Sequence, residues 1–278
     1  MNRPCGDATG KIADLLSRHP GVLAVLFYGN LQREPEAGGL YDFYVLTESD
    51  AAYHGPGISA LANRLLPPNV YLIAHPDGPR AKVAVMTLAA FSQRMRPDAW
   101  DTTLWARFCQ PAILTFSRDG DVRKRVLEAV VRAHKTAAQW ASALAEPGVD
   151  TLNAWETLFR HTYAAELRVE GSARPRLLAE RGAEIYSALM LDKAIGSEPA
   201  SRDGAKGAWR NRRIVGKILN ASRLLKACFT FQNPLAYALD KIERHSSGAV
   251  ALSGWERRHP LLAFLPVLLR LWRARRRH

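Results

Sequence analysis

Little in this chain points to disulfides, zinc or a membrane span. Its three cysteines, Cys5, Cys109 and Cys228, stand far apart with no C-x-x-C among them. That spacing excludes a disulfide framework and a zinc site, and it fits a reducing compartment. No apolar run is long enough to span a bilayer. Met1 leads into polar residues without an apolar stretch, so no secretory leader is predicted. Acidic residues are also short, with 26 Asp and Glu against 39 Lys and Arg and a formal charge of +13. An excess of that size predicts a polyanionic partner such as nucleic acid, nucleotide or an acidic membrane. Internal repeats and long low-complexity segments are missing as well.

What is present is a core. The chain has 278 residues, 47% of them hydrophobic, enough for one or two globular domains. Hydrophobic spacing predicts a helix over 10–18, strands over 22–28 and 42–47, and a helix over 58–66. Strands follow over 70–73 and 82–86, helical segments over 87–95 and 101–108, and a last strand over 111–116. The pattern then turns helical, over 121–146, 152–168, 176–190, 210–229 and 233–244, with a polar separator over 196–207. The fold class predicted is α+β. A compact domain with a mixed sheet over 1–118 precedes a mainly helical domain over 119–255. Residues 256–278 form a basic amphipathic tail in which Leu261, Leu262, Phe264, Leu265, Leu268, Leu269 and Trp272 run into an arginine cluster. That combination suits a bilayer interface, and a helix docked on the core with a solvated basic end is the alternative.

The candidate chemistry lies between the first two strands. Gly29-Asn30 follows an apolar strand, where a glycine lets the backbone turn sharply and approach phosphates. An ordinary turn has the same composition. Asp42 opens the next strand, with Tyr44 on the same face by alternation. A carboxylate leading a buried strand needs a partner, and a magnesium ion is one, since it takes few carboxylates and completes its shell with water and phosphate oxygens. Capping a turn after Gly38-Gly39 is the other use for Asp42. Tyr44 stands where a D-x-D pair would place its second carboxylate, which argues against polymerase-like and aminoglycoside-modifying enzymes.

The order of strand, Gly turn and strand with a leading Asp resembles the opening of a nucleotidyltransferase fold. Further stretches, in one consistent order over residues 20–245, resemble the mitochondrial-type phosphatidate cytidylyltransferases. These are Tyr53-His54, Pro68-Asn69-Val70-Tyr71, Lys82-Val83-Ala84-Val85, Leu104–Pro111, Tyr163–Arg168, and the helix carrying Arg213, Gly216 and Lys217. Asn30 stands where that family has Ser, and Gln110 where it has Lys. The resemblance implies a magnesium-dependent reaction of CTP with phosphatidate at the cytoplasmic face of a membrane. It assigns Asp42, Lys82 and Arg107 to catalysis, and Gly29, Asn30, Lys82 and Arg107 to the nucleotide. Arg168, Arg213 and Lys217 are assigned to the second substrate, and Asp42 and Glu166 to the metal. His54 is a candidate for orienting substrate and not for the base. The partners implied are CTP, phosphatidate and an anionic membrane reached through the tail, with no stable nucleic-acid partner. Transfer to a soluble or RNA acceptor, and a nucleotide- or lipid-binding adaptor without activity, are the alternatives. Neither the base preference nor the oligomeric state is written in the residues.

Overall fold

A computed structural model describes residues 7–28, 40–74, 80–166, 173–191 and 202–230. Five strands form one sheet. They are β1 (Val22–Tyr28), β2 (Leu40–Thr47), β3 (Asn69–Ala74), β4 (Arg80–Thr87) and β5 (Ala112–Ser117), in the order β3-β4-β2-β1-β5. The sheet is mixed, because β2 and β4 run parallel while the other neighbours run antiparallel. The predicted α+β class with an N-terminal mixed sheet and a following helical region is what the chain adopts.

Alternation along the strands explains why both faces are covered. Tyr41, Phe43 and Val45 of β2 and Ala81, Val83 and Val85 of β4 point to one face. There they meet Ile12, Ala13 and Leu16 of α1 (Asp7–Ser17). Tyr44 and Leu46 of β2 and Ala84 and Met86 of β4 point to the other. On that side lie α4 (Leu88–Gln93), α5 (Thr103–Phe108) and α6 (Gly120–Leu144). With helices on both faces the central strands are apolar nearly throughout, as such strands must be.

The helical region shares this second core. α6 turns an alanine-rich stripe inward, including Ala129, Ala133, Ala137 and Ala141, and small residues let other helices approach closely. Asp119 caps its start, accepting from the Val122 amide at 2.7 Å, which satisfies one of the amides left free at a helix start. Trp105, Trp155 and Trp209 are fully buried in the same core. The expected boundary at residue 118 falls in the turn between β5 and α6, and both sides of it contribute to one apolar cluster.

Several elements differ from their sequence expectation. α7 (Thr151–Ala165) stops three residues before the predicted 168, and Glu166 leaves it with extended backbone at φ −101° and ψ 161°. The expected helix over 176–190 is two, α8 (Arg174–Arg181) and α9 (Ala183–Leu191), broken at Gly182, where a Cβ would strike the Tyr186 ring. α10 (Arg202–Thr230) begins inside the stretch expected to be a separator. A short helix, α2 (Asp50–His54), capped by Ser49, precedes α3 (Ile58–Leu65). The helix expected over 233–244 and the tail over 256–278 lie outside the described residues. Among the described residues no helix is long and apolar enough to cross a membrane.

Candidate active site

The sheet register assembles the site. The parallel β2–β4 pair sets Asp42 opposite Lys82. The antiparallel neighbours add Tyr28 beside Asp42 and Leu72 beside Lys82. Leu72, Lys82, Asp42 and Tyr28 therefore form one row across four strands, each about 4.8 Å from the next. The row lies on the face that carries Tyr44, Ala84 and Met86 one step further in. Asp42 and Lys82 are both partly exposed, so the row sits where the buried core gives way to solvent. No hydrogen bond or ion pair to the Asp42 carboxylate forms among the described residues.

Arg107 comes over this row from α5. Its Nη1 donates to the Tyr44 hydroxyl at 3.2 Å, and its guanidinium carbon lies 5.1 Å from the Tyr28 ring centre. These two tyrosines flank Asp42, one across the strand pair and the other two residues along. Their rings are 5.1 Å apart, and Phe108 packs edge-on against Tyr44 at the same separation. The aromatic wall thus fixes the arginine's fork in place. Burial works against its charge, but the Tyr28 and Tyr44 oxygens and the Glu166 carboxylate outweigh it, and the guanidinium is held above its ordinary range.

Glu166 reaches Arg107 because α7 ends where it does. Gly216 of α10 presses on the end of α7 so closely that a Cβ there would stand 2.5 Å from the Ala165 carbonyl. The predicted helical placement of Glu166 is corrected by this. The residue lies just past the helix end, in extended backbone, and its charge acts on Arg107. Among the described residues no three His, Cys, Asp or Glu gather as a metal cluster. Glu166 acts on the Arg107 guanidinium, and Asp42 lies two residues from the Tyr44 that anchors it. Asp42 and Glu166 are the carboxylates that could serve a magnesium ion, which asks few of a protein when phosphate oxygens and water supply the rest.

The other expected residues lie elsewhere. Arg213 and Lys217 are on the exposed side of α10, and Arg213 lies near His161 of α7. Gly29 and Asn30, which follow Tyr28 directly in the chain, and Arg168 are outside the described residues. His54 is on the opposite face of the sheet. It bonds the Tyr71 hydroxyl at 2.9 Å and lies 3.4 Å from the Asn69 amide, and Tyr71 pairs with Val83, not with the Lys82 side of β4. A substrate-orienting role at the Asp42–Lys82 row does not fit that position. Gln110 donates to the Ala106 carbonyl at 2.8 Å, so its amide is used locally.

Arg94 was not singled out by sequence. It ends α4 on the Tyr44 side of the sheet, donating to the Ala90 carbonyl at 3.2 Å, with its Nε 3.7 Å from Asp101. Arg223 of α10 makes the closer pair with that same carboxylate, and the Thr103 amide donates to it at 3.1 Å. Burial raises the cost of charging Asp101, but Arg223 and Thr103 outweigh it and hold the carboxyl below the usual carboxylate range. Two arginines on one carboxylate leave a net positive charge behind Tyr44. Nothing in the spacing of Arg94 and Arg96 separated the inward arginine from the outward one, which pairs with Asp98 at the surface.

No family model and no curated protein matches the chain. Among solved structures it is similar to a nucleotidyltransferase-like protein from Exiguobacterium sibiricum 255-15, at 12% identity and a TM-score of 0.30, over 79% of this chain and 76% of that one. A likeness that loose leaves the reading of the site to its own residues.

Proposed function

We propose that the chain is a nucleotidyltransferase, and more specifically a phosphatidate cytidylyltransferase. The observation that carries the reading is the row in which Asp42 faces Lys82, two residues from the Tyr44 that anchors Arg107. A carboxylate in register with a lysine, with an arginine anchored two residues along the strand, suits a triphosphate, whose charge must be held before and during transfer. Lys82 and Arg107 would bind phosphate oxygens, and Asp42 with Glu166 would hold magnesium. That ion, when bound, neutralises the charge developing on the leaving pyrophosphate.

In the proposed reaction a phosphatidate phosphate oxygen attacks the α-phosphorus of CTP. The bond between the α- and β-phosphates breaks, and CDP-diacylglycerol and pyrophosphate form. The attacking oxygen is already anionic, so no general base is required, which agrees with His54 standing on the other face. The choice of CTP and phosphatidate rests on the ordered sequence resemblance. The basic apolar tail over 256–278 supports a peripheral position at an anionic membrane.

The test is pyrophosphate release from each of the four nucleoside triphosphates, with phosphatidate and a divalent metal, for the wild type and Asp42→Ala. Release with CTP that Asp42→Ala abolishes is expected. Release with another triphosphate would correct the base. Failure of the wild type with every triphosphate and metal would overturn the enzymatic reading.

A further inference from the structure

The two faces of α10 differ in kind. Ala205, Trp209 and Gly216 turn inward, the first two being 0% and 2% exposed and the third lying against the end of α7. The opposite face carries Lys206, Arg210, Arg213 and Lys217, all exposed. Their positions are i, i+4, i+7 and i+11, a spacing that keeps them on one side of a helix. Ile214 follows Arg210 by four residues and precedes Lys217 by three, and Ile218 comes one turn later. Both share the cationic face, at 57% and 60% exposure.

These cations repel one another. Like charges three or four residues apart disfavour a helix, and Lys206–Arg210, Arg210–Arg213 and Arg213–Lys217 are three such pairs in succession. Among the described residues none of the four forms an ion pair. Asp203 is the single acid of the helix and pairs with none of them. An anion from outside the chain would relieve the repulsion, and the two isoleucines decide its kind. A nucleic-acid backbone would neutralise the cations and leave Ile214 and Ile218 in water. An anionic bilayer takes both, because its headgroups meet the cations and its acyl boundary receives the apolar side chains. A second copy paired about a two-fold axis would set the four cations against their own equivalents.

We infer that the outer face of α10 docks the protein on an anionic bilayer, with Ile214 and Ile218 entering the headgroup boundary and Lys206, Arg210, Arg213 and Lys217 pairing with lipid phosphates. This deepens the proposed lipid-activating function and rests on its membrane setting. It also gives Arg213 and Lys217 a use at the place where the fold puts them. The inner face of the helix belongs to the apolar cluster that contains Tyr44. Gly216 packs on the end of α7, beyond which Glu166 acts on Arg107. The docking helix and the proposed site therefore lie on the same side of the sheet.

The test uses the full chain and phosphatidylcholine vesicles, plain or containing phosphatidate or phosphatidylglycerol. Ile214→Trp is expected to show added quenching by brominated lipid, beyond that of the native tryptophans, on both anionic vesicles and not on the plain ones. The charge variant Lys206→Gln/Arg210→Gln/Arg213→Gln/Lys217→Gln is expected to bind the anionic vesicles roughly ten-fold or more weakly, with its circular dichroism and melting unchanged. Absence of added quenching, or unchanged vesicle binding by the charge variant, would overturn the assignment. So would loss of binding to a labelled RNA oligomer in the charge variant with vesicle binding intact, which would make nucleic acid the occupant. A concentration-dependent dimer abolished by Ile214→Ser/Ile218→Ser would overturn it in favour of a second copy. Transfer to a water-soluble short-chain phosphatidate is read in parallel. Ile214→Ser/Ile218→Ser is expected to retain it while binding vesicles less. Its absence in the wild type would count against the enzymatic reading, while the vesicle result stands by itself.

Discussion

The Tyr44 hydroxyl accepts a hydrogen bond from Arg107 at 3.2 Å, two residues along the strand from Asp42 and on the same face. The position that a second metal carboxylate would occupy in a D-x-D pair is thus an anchor for a cation. In the proposed site the strand would supply one anionic ligand and, through the tyrosine, position the arginine that would bind phosphate. Tyr44→Phe removes the anchor and leaves the ring packing. Steady-state kinetics is expected to show kcat/KM lower by about ten-fold, the equivalent of one hydrogen bond to a charged group. Melting is expected to show a stability loss of about 1 kcal/mol. Unchanged kinetics would remove Arg107 from the site.

Gly216→Ala tests the delivery of Glu166. The added methyl meets the Ala165 carbonyl at 2.5 Å, and backbone cannot give way as a side-chain tip can. Denaturant titration is expected to show a loss of about 1–3 kcal/mol, the usual range for overpacking. The apparent metal affinity in the transfer assay is expected to fall as well, because the end of α7 moves with its carboxylate. A loss of stability with metal dependence unchanged would leave Glu166 outside the metal site.

Arg223→Gln leaves Asp101 with only the more distant Arg94. Breaking a buried pair in this way costs about 3–5 kcal/mol, and the remaining arginine argues for the lower end. The acid side of the stability profile changes too. In the folded wild type the Asp101 carboxyl titrates below its unfolded value, so its contribution is full above about pH 4 and is lost as pH falls through the folded pKa. Acid titration of Arg223→Gln is expected to show a flatter profile below pH 4 (~4 being the unfolded value).

Two histidines set a second pH window. Burial lowers the pKa of His134 against an opposing bond to the Val130 carbonyl, and burial together with Arg213 lowers that of His161. A histidine depressed in the fold binds its proton more readily when unfolded. Stability is therefore complete above about pH 6.5 and declines as pH falls below it. Melting temperatures measured downward from pH 8 are expected to drop through this window. The decline is expected to be shallower in a His134→Gln/His161→Gln variant.

Strands and the mixed α+β class were legible because alternation and chain breaks are local signals. Asp42 was legible as a carboxylate leading an apolar strand, and Lys82 and Arg107 entered as candidates through the ordered resemblance. Their meeting was not, because the Asp42–Lys82 register is set by a parallel pairing that no short-range pattern encodes. Glu166 was placed on a helix that apolar spacing extended past Ala165, while the contact that marks its end, Gly216 against Ala165, is long-range. Arg94 was missed for the same reason: its inward course depends on Asp101 and Arg223, which belong to other elements. α3 was expected only as a helix over 58–66. Which side faced the core was decided by Asn63 and its partners.

The parallel pair also bears on how the molecule is reached from the unfolded chain. Asp42 and Lys82 are forty residues apart, and β1 meets β5 across some ninety. Pairings of such separation form late, because loop closure must be met before they are rewarded. The β1–β2 pair can come together early and presents Asp42 alone. The cations that would hold a triphosphate arrive only with β4 and α5, so a nascent or half-folded chain has a carboxylate but no grip on nucleotide. Binding capacity and completion of the sheet are then one event, and ligand-dependent protection during refolding would report the closing of β2 on β4.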